Sequence, residues 1–239
     1  MDYVYKDPLY RANVESASTR GKYNTPIPQP DARLVAREVS APAAPTPSRD
    51  FGPFFVRHAP FRGSLLPAGE TGEAPGEGPA APGQRLLVRG VVKSSQGAHL
   101  PYATLDVWQA SPAAIYDYRE RDGQFRPYLS YIGELNEHSE AEAFHYRARV
   151  LTDERGRFEY QTLVPPPYLD PEDNTWRCPH VHHFVQAAGH ASCVTQIMFR
   201  DMPKNDIDNH IRPELTYALA RAPGTWTADV AFVLLELAN

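Results

Sequence analysis

Residues 85–110, RLLVRGVVKSSQGAHLPYATLDVWQA, decide the fold class of this 239-residue chain. Arg85–Lys93 is rich in valine and leucine, and Ala103–Ala110 alternates with the period of a half-buried strand. Short segments of the same kind recur further along, at Arg149–Asp153, Arg157–Leu163, Val181–Ala187, Ser192–Phe199 and Ala228–Leu237. Many short strands at regular spacing predict an all-β fold, an antiparallel β-sandwich.

Turn and helix signals complete this prediction. Glu154-Arg155-Gly156 lies between two of the predicted strands and, with glycine at the turn, predicts a β-hairpin. One or two short helices are expected, one at Arg212–Ala222 and a second at Glu137–Tyr146. The sequence shows neither the βαβ alternation nor the glycine fingerprint of a dinucleotide-binding fold.

The first 84 residues differ in composition from the rest of the chain. Twelve of the 24 prolines lie between Pro26 and Pro82, and proline removes backbone donors, so regular structure is not expected there. Aromatic residues interrupt this stretch at Phe51, Phe54, Phe55 and Phe61. The prolines alone fit a disordered linker, whereas the phenylalanines favour an ordered arm on a domain or a partner. The sequence thus predicts an extended proline-rich N-terminal arm over residues 1–84 and a β-sandwich domain over residues 85–239.

Composition and charge exclude several classes of protein. The net charge is −5, the pI is about 6.0, and there is no basic stripe, so no nucleic-acid partner is expected. No apolar run reaches the ~18 residues of a membrane span, and the N-terminus lacks a signal-peptide pattern. We therefore expect a cytoplasmic protein without membrane contact. Cys178 and Cys193 are the only cysteines, which argues against a disulfide framework.

One segment combines several residues that could carry chemistry: Arg177-Cys-Pro-His180-Val-His182-His183-Phe184. Residues i and i+2 of a strand project to the same face, so His180 and His182 would point together and His183 away. Two adjacent imidazoles suit a metal ion, but hydrogen-bonded or exposed histidines give the same pattern. His183 is expected to be structural or solvent-facing.

Two tyrosines near strand ends could add oxygen donors. Tyr116 follows the strand that contains Trp108, and Tyr168 follows three consecutive prolines. A phenol has a pKa of about 10 and therefore normally keeps its proton at neutral pH. A trivalent ion would remove that proton, and hard phenolate oxygens favour Fe(III) over softer or divalent ions. Taken alone, each tyrosine is more simply explained as a packing residue with a solvated hydroxyl.

Five blocks, considered together, carry a family resemblance. They are Trp108-Gln-Ala110 with Tyr116 beyond it, Thr152-Asp-Glu-Arg-Gly156-Arg-Phe158, Thr162-Leu-Val-Pro165-Pro-Pro-Tyr168, Arg177-Cys-Pro-His180-Val-His182 and Thr195-Gln196. In this order they resemble the intradiol ring-cleaving dioxygenases, non-haem Fe(III) enzymes that include catechol 1,2-dioxygenase and protocatechuate 3,4-dioxygenase. Within the family, Trp176-Arg177 and the segment that begins at Tyr10 are most similar to the protocatechuate 3,4-dioxygenase β subunit.

The resemblance implies a metal centre and a reaction. It implies a non-haem Fe(III) cofactor with four ligands, Tyr116, Tyr168, His180 and His182. It implies that Tyr168 leaves the metal and accepts a substrate proton, and that Arg177 and Gln196 are catalytic residues beside the ring. Candidate substrate-binding residues are Tyr10, Tyr118 and Ile197. The implied reaction cleaves a catechol between its two hydroxyls with O₂, giving a cis,cis-muconate-type diacid.

Departures from the family pattern leave the substrate and the assembly open. The chain has Ala114-Ile-Tyr116 where the family usually has Gly-x-Tyr, and its Asp117–Tyr146 segment is long and acidic. That segment is predicted to set the choice between a protocatechuate-like and a bulkier substituted catechol. A homo-oligomer, or a hetero-oligomer with a related α-type subunit, is expected.

Two other functions stay open at this point. A non-catalytic β-sandwich binding or scaffold domain could derive from the same fold, and it would lack the red colour of tyrosine-to-Fe(III) charge transfer. A zinc hydrolase would normally use three histidine or acidic ligands and not two tyrosines.

Overall fold

Two packed β-sheets form almost all of the regular structure that the described residues show, which confirms the predicted β-sandwich. The computed structural model describes residues 39–52, 54–55, 59–116, 144–170 and 174–237, all within one unit, Arg37–Asn239. The strands are β1 (Arg85–Ser94), β2 (Thr104–Trp108), β3 (Arg147–Leu151), β4 (Arg157–Leu163), β5 (Tyr168–Leu169), β6 (Trp176–Arg177), β7 (His180–Gln186), β8 (Cys193–Phe199), β9 (Thr216–Tyr217), β10 (Ala220–Ala222) and β11 (Thr225–Leu234).

The strand order separates a four-stranded sheet from a five-stranded one. The first has the order β10-β11-β1-β4, the second has β3-β2-β7-β8-β9, and β5 and β6 form a separate pair. Most neighbouring strands are antiparallel, as predicted, but β11 lies parallel to β1 and β9 lies parallel to β8. A parallel partner needs a long connection. The chain provides one in each case, because β1 and β11 are the first and last strands of the described residues and residues 200–215 separate β8 from β9.

The hydrophobic core lies between the two sheets. Buried residues of both sheets contribute to it, among them Val88, Leu105, Phe158, Val181, Ile197 and Phe232. Burying a side chain of this size contributes about 1.5–3 kcal/mol. Within one sheet, Gly90 of β1 lies opposite Val230 of β11, and a Cβ at Gly90 would lie 1.9 Å from the Val230 carbonyl oxygen. The strand β7, which carries His180 and His182, is therefore backed by this core.

The predicted helix at Arg212–Ala222 is wrong. This stretch forms a single 3₁₀ turn, Pro213–Leu215, followed by β9 and β10. β9 pairs with β8 and β10 pairs with β11, and such tertiary pairing overrides a weak helical preference. The second predicted helix, Glu137–Tyr146, lies outside the described residues except for Phe144–Tyr146, which are not helical.

The turn predicted at Glu154–Gly156 is present, but the strands beside it do not form a hairpin. Asp153 N–H donates to the carbonyl of Arg157 at 2.8 Å, and Gly156 has a φ of 72°, which favours glycine. Beyond this turn, β3 pairs with β2 in one sheet and β4 pairs with β1 in the other. The chain therefore crosses from one sheet to the other here, because each strand finds its partner elsewhere.

The described part of the N-terminal arm packs on both sheets. Leu65 is fully buried in the core, and its N–H donates to the Gln161 carbonyl of β4 at 2.9 Å. Thr46 N–H donates to the Val233 carbonyl of β11 at 2.9 Å, and the Thr195 hydroxyl of β8 donates to the Pro47 carbonyl at 3.0 Å. The described part of residues 39–84 is therefore hydrogen-bonded to strands of both sheets at Thr46, Pro47 and Leu65.

Cys178 and Cys193 are both free and buried. In the described part of the chain, no helical segment has the length and hydrophobicity needed to span a bilayer.

Candidate metal centre

Four buried side-chain donor atoms converge at one end of the five-stranded sheet. Tyr116 Oη lies 3.0 Å from His182 Nε2 and 3.5 Å from His180 Nε2. Tyr168 Oη lies 3.3 Å both from Tyr116 Oη and from His180 Nε2. The two Nε2 atoms are 3.1 Å apart, and all four residues are buried. The structure therefore brings together the four residues that the resemblance names as ligands.

The alternation of β7 presents the two histidines side by side. His180 Nδ1 donates to the Cys178 carbonyl at 2.6 Å, which leaves the lone pair of Nε2 facing the cluster. His182 stacks on Trp108, its register partner in β2, with ring centroids 4.8 Å apart and an angle of 9° between the rings. These contacts fix both imidazole planes before any ion binds.

His183 points to the opposite face of β7, into the core. Its side chain is fully buried, and its Nε2 lies 2.8 Å from the hydroxyl of Tyr160 on β4. Burial lowers the pKa of His183 to about 3, so its imidazole is neutral at pH 7. His183 therefore has a structural role, which is one of the two alternatives expected for it, and it does not face solvent.

Tyr116 reaches the cluster through a tight turn after β2. Ser111 N–H donates to the Ile115 carbonyl and Ala114 N–H donates to the Ser111 carbonyl, each at 2.9 Å. Ala114 closes this turn with a φ of 60°, in the left-handed region that glycine adopts without cost. The departure from the family's Gly-x-Tyr pattern therefore places a strained alanine two residues before Tyr116.

Replacing Ala114 with glycine is expected to stabilise the chain. A non-glycine residue in the left-handed region costs roughly 1–2 kcal/mol, and the extra unfolded-state entropy of glycine offsets about 0.4–1 kcal/mol of the gain. The expected rise in the free energy of unfolding is about 1 kcal/mol, measured by denaturant titration. Gly156→Ala is the converse control and is expected to destabilise, because Gly156 also has a positive φ. A lower stability for Ala114→Gly would contradict strain at this turn.

Tyr168 is held by the short β5–β6 pair, in which it lies opposite Arg177. The block that begins at Trp108 and the block that begins at Thr162 contact each other close to Tyr168 in the sequence. Gln109 Nε2 donates to the Leu163 carbonyl at 3.0 Å, and the Thr162 hydroxyl donates to Gln109 Oε1 at 2.8 Å. These bonds join the end of β2 to the end of β4. They give Gln109 and Thr162 a structural role in bringing the two tyrosines together.

The four donor residues are all neutral at pH 7 in the metal-free chain. Burial raises the pKa of Tyr168 to about 12, although the Arg177 charge opposes the rise. Burial and the adjacent Tyr168 hold the pKa of Tyr116 well above its usual value. Burial also lowers the pKa of His180 to about 3 and that of His182 well below its usual range. The imidazoles can therefore donate lone pairs, while each phenol must release a proton to bind a cation.

The donor set fits a metal ion. Donor atoms held about 2.1 Å from one ion lie about 3 Å from each other, and the five separations given above run from 3.0 to 3.5 Å. Within the described ranges, no group of three or more His, Cys, Asp or Glu side chains could hold a metal ion. The fit therefore depends on the two phenol oxygens, which are hard donors.

Arg177 and Gln196 lie beside these donors. A terminal nitrogen of the Arg177 guanidinium donates to Gln196 Oε1 at 2.8 Å, and Gln196 lies opposite His182 in the β7–β8 register. Arg177 is only 6% exposed, so it is not in a surface salt bridge. Its charge opposes the rise that burial causes in the pKa of Tyr168 and adds to the fall that burial causes in the pKa of His182, so a fixed cation lies next to the cluster.

The structure places the other predicted pocket residues elsewhere or does not describe them. Ile197 is fully buried in the core between the sheets, because neighbouring residues of a strand point to opposite faces and Gln196 faces the cluster. Tyr10 and Tyr118 lie outside the described residues, as does most of the Asp117–Tyr146 segment.

Two further residues touch the site without being expected there. The Phe54 ring stacks on Tyr116 with centroids 4.3 Å apart and an interplanar angle of 11°. Asp208 accepts a hydrogen bond from Arg177 Nε at 3.4 Å. The phenylalanines of the arm were a signal for packing, but their partners could not be deduced. No local pattern marks Asp208.

Known proteins match this chain in sequence and in structure. Residues 52–232 match the family described as Dioxygenase. A chlorocatechol 1,2-dioxygenase of Pseudomonas sp. strain P51 is 27% identical over 197 residues, covering 77% of this chain and 68% of that protein. A hydroxyquinol 1,2-dioxygenase of Rhodococcus opacus is 28% identical over 173 residues, covering 66% of this chain and 48% of that protein. The structure of the dioxygenase domain of a dioxygenase–carbohydrate-binding protein fusion from Streptomyces sp. SirexAA-E has a TM-score of 0.58 and 26% identity, covering 81% of this chain and 100% of that chain.

The fold, the donor set and these matches define a dioxygenase. The chain belongs to the intradiol ring-cleaving dioxygenase family. It spans between 48% and 68% of the length of the two curated relatives named above. The narrower likeness to the protocatechuate 3,4-dioxygenase β subunit stays a prediction.

Proposed function

We propose that the chain is a non-haem Fe(III) enzyme that cleaves a catechol between its two hydroxyls with O₂ to give a cis,cis-muconate-type diacid. The observation that carries the proposal is the convergence of two phenol oxygens and two imidazole nitrogens within 3.0–3.5 Å of their neighbours. Two phenolates offset most of the charge of a ferric ion, and hard oxygen donors favour Fe(III). The proposed ligands are Tyr116, Tyr168, His180 and His182.

The bound ferric ion would supply Lewis acidity that binds and activates the catechol. Tyr168 Oη is the proposed acceptor of one catechol proton. Its place on the two-residue strand β5 supports this role, because a short two-stranded pair holds a side chain less firmly than a full sheet does. The nearby Asp170 and Asp208 charges favour the protonated form of Tyr168, although burial has the largest effect.

Arg177 and Gln196 are proposed to act on the substrate ring. The planar guanidinium stays charged at every physiological pH, and its hydrogen bond to Gln196 gives it one orientation. A fixed cation in a buried site stabilises negative charge that develops on the ring and on the product oxygens. Burial of the donors also excludes water, which strengthens this interaction.

The proposed substrates are catechols of unassigned substitution. The named relatives are described as acting on chlorocatechol and hydroxyquinol. For this chain we propose a protocatechuate-like catechol or a bulkier substituted one, with O₂ as second substrate and self-association or a related α-type subunit as assembly. We further propose that Asp117–Tyr146 sets the substrate choice, because it follows Tyr116 directly.

The test is a panel of substituted catechols followed by oxygen uptake and product identification. The purified protein is analysed for iron and for visible absorption beforehand. We expect one iron per chain, a red colour, and O₂ consumption with at least one catechol. Stoichiometric zinc without visible absorption would overturn the proposal. Iron-free, colourless protein that fails to load with iron would favour the non-catalytic β-sandwich domain.

Arg177→Lys is expected to lower kcat/KM by about 100-fold or more, because lysine keeps the charge but not the planar donor group. Steady-state oxygen uptake measures the effect. Arg89→Lys is the matched control, since Arg89 forms an exposed pair with Asp229 on the other sheet. Near-wild-type activity of Arg177→Lys would remove the guanidinium from the reaction.

A further inference from the structure

A buried carboxylate lies behind the Arg177 guanidinium. Asp208 belongs to the segment between β8 and the 3₁₀ turn, and its side chain is completely inaccessible to solvent. Its Oδ2 accepts hydrogen bonds from Arg177 Nε at 3.4 Å and from the Cys178 N–H at 2.8 Å. Its Oδ1 accepts the His210 N–H at 2.7 Å. The backbone on both sides therefore fixes the carboxylate, independently of the arginine.

These contacts determine the orientation of the guanidinium. Nε is held by Asp208 and one terminal nitrogen is held by Gln196, while the other terminal nitrogen is 3.9 Å from Asp170 Oδ2. A planar group that is anchored at two nitrogens cannot rotate about its own axis. Asp208 and Gln196 thus accept hydrogen bonds from different nitrogens of the same guanidinium.

Asp208 contacts the site through Arg177, the residue that is itself proposed to act on the substrate ring. It has hydrogen bonds to Arg177, to Cys178 and to His210, and none of these is one of the four proposed ligands. A buried ion pair adds little net stability, whereas removing one partner leaves an uncompensated charge. We therefore expect this ion pair to affect the orientation of Arg177 more than the net stability of the fold.

We propose that Asp208 is a positioning residue that holds the Arg177 guanidinium against Gln196 at the metal centre. The proposal rests on the proposed function, in which Arg177 acts on the substrate ring. A displacement of a reacting group by about 1 Å can cost about 100-fold in rate. Asp208 would therefore control turnover without contacting the substrate.

The test begins with Asp208→Asn, which keeps the side-chain shape and removes the charge. Asp229→Asn is the matched control, because it removes the same charge from the exposed arginine pair of Arg89. Crystal structures of both variants are compared with the wild type. We expect Asp208→Asn to lose the 2.8 Å contact between Arg177 and Gln196, and Asp229→Asn to keep it. An unmoved guanidinium in Asp208→Asn would overturn the proposal, whatever reaction the enzyme catalyses.

Kinetics of a double-mutant cycle then separate positioning from general structural damage. Asp208→Asn is expected to lower kcat by about 10- to 100-fold in the wild-type background, with iron content preserved. In an Arg177→Lys background it is expected to lower kcat by less than about twofold, because the group it positions is gone. Equal losses in both backgrounds would show a structural role and contradict the proposal. If Asp208→Asn does not fold, Asp208→Glu is carried through the same cycle and structure determination.

A wild-type protein that is inactive towards every catechol would refute the proposed function separately. The crystal structures would still decide whether Asp208 orients Arg177. The two claims therefore fail on different observations.

Discussion

His180→Ala and His182→Ala are each expected to abolish iron retention. Each removes one neutral nitrogen donor from a set of four buried groups that lie 3.0–3.5 Å apart. The loss of affinity should exceed the about 10- to 100-fold that follows removal of an outer-shell partner. Metal analysis of the purified variants measures the iron, and visible absorption reports the tyrosine–iron contact.

His190→Ala is the control for these two variants. His190 lies outside the cluster, in the turn after β7, where its Nδ1 is 2.8 Å from the Ala188 carbonyl. It is expected to keep wild-type iron content and colour. Iron content close to that of the wild type in His180→Ala or His182→Ala would show that the altered histidine is not a ligand.

Tyr168→Phe is expected to keep iron but to slow turnover far more than it weakens substrate binding. Phenylalanine can neither ligate iron nor accept the catechol proton, and positioned proton transfer contributes about 10²–10⁴-fold to rate. Tyr168 is the ligand that leaves the metal in the implied reaction, so the other three donors should hold iron without it. Because Tyr116 is one of those three, the visible colour should persist in altered form. Stopped-flow mixing with substrate and steady-state oxygen uptake separate binding from kcat.

Tyr217→Phe is the matched control for loss of a tyrosine hydroxyl. Tyr217 lies on β9, the edge strand of the five-stranded sheet, and is partly buried against the core between the sheets. It is expected to leave kcat within about twofold of the wild type, as surface or peripheral substitutions have small effects. An unchanged kcat in Tyr168→Phe would remove this residue from the proton transfer.

Local alternation made much of the fold and part of the site predictable from sequence. The strands around Val88, Leu105 and Phe158 follow from apolar residues spaced for one buried face. The same rule places His180 and His182 together and turns His183 into the core, as the structure shows. The rule also implies that Ile197 faces away from Gln196, so the assignment of Ile197 to the pocket conflicted with information already in the sequence.

Contacts between distant segments could not be predicted in this way. The turn at Gly156 was predictable, but the partners of β3 and β4 depend on strands far away in the chain. Most of Arg212–Ala222 forms strands because β9 pairs with β8 and β10 pairs with β11. The local sequence preference does not contain this information about distant strands. Asp208 is 31 residues from Arg177, and no periodic pattern links them. The stacking of Phe54 on Tyr116 is similarly non-local.

The central claim is tested most directly by turnover of a catechol under ¹⁸O₂, with mass spectrometry of the product. The account predicts that iron-loaded protein opens the ring between the two hydroxyl-bearing carbons and that both labelled oxygen atoms appear in the resulting diacid. Cleavage of a ring bond outside these two carbons, or iron-loaded protein that consumes no O₂ with any catechol of the panel, would contradict it.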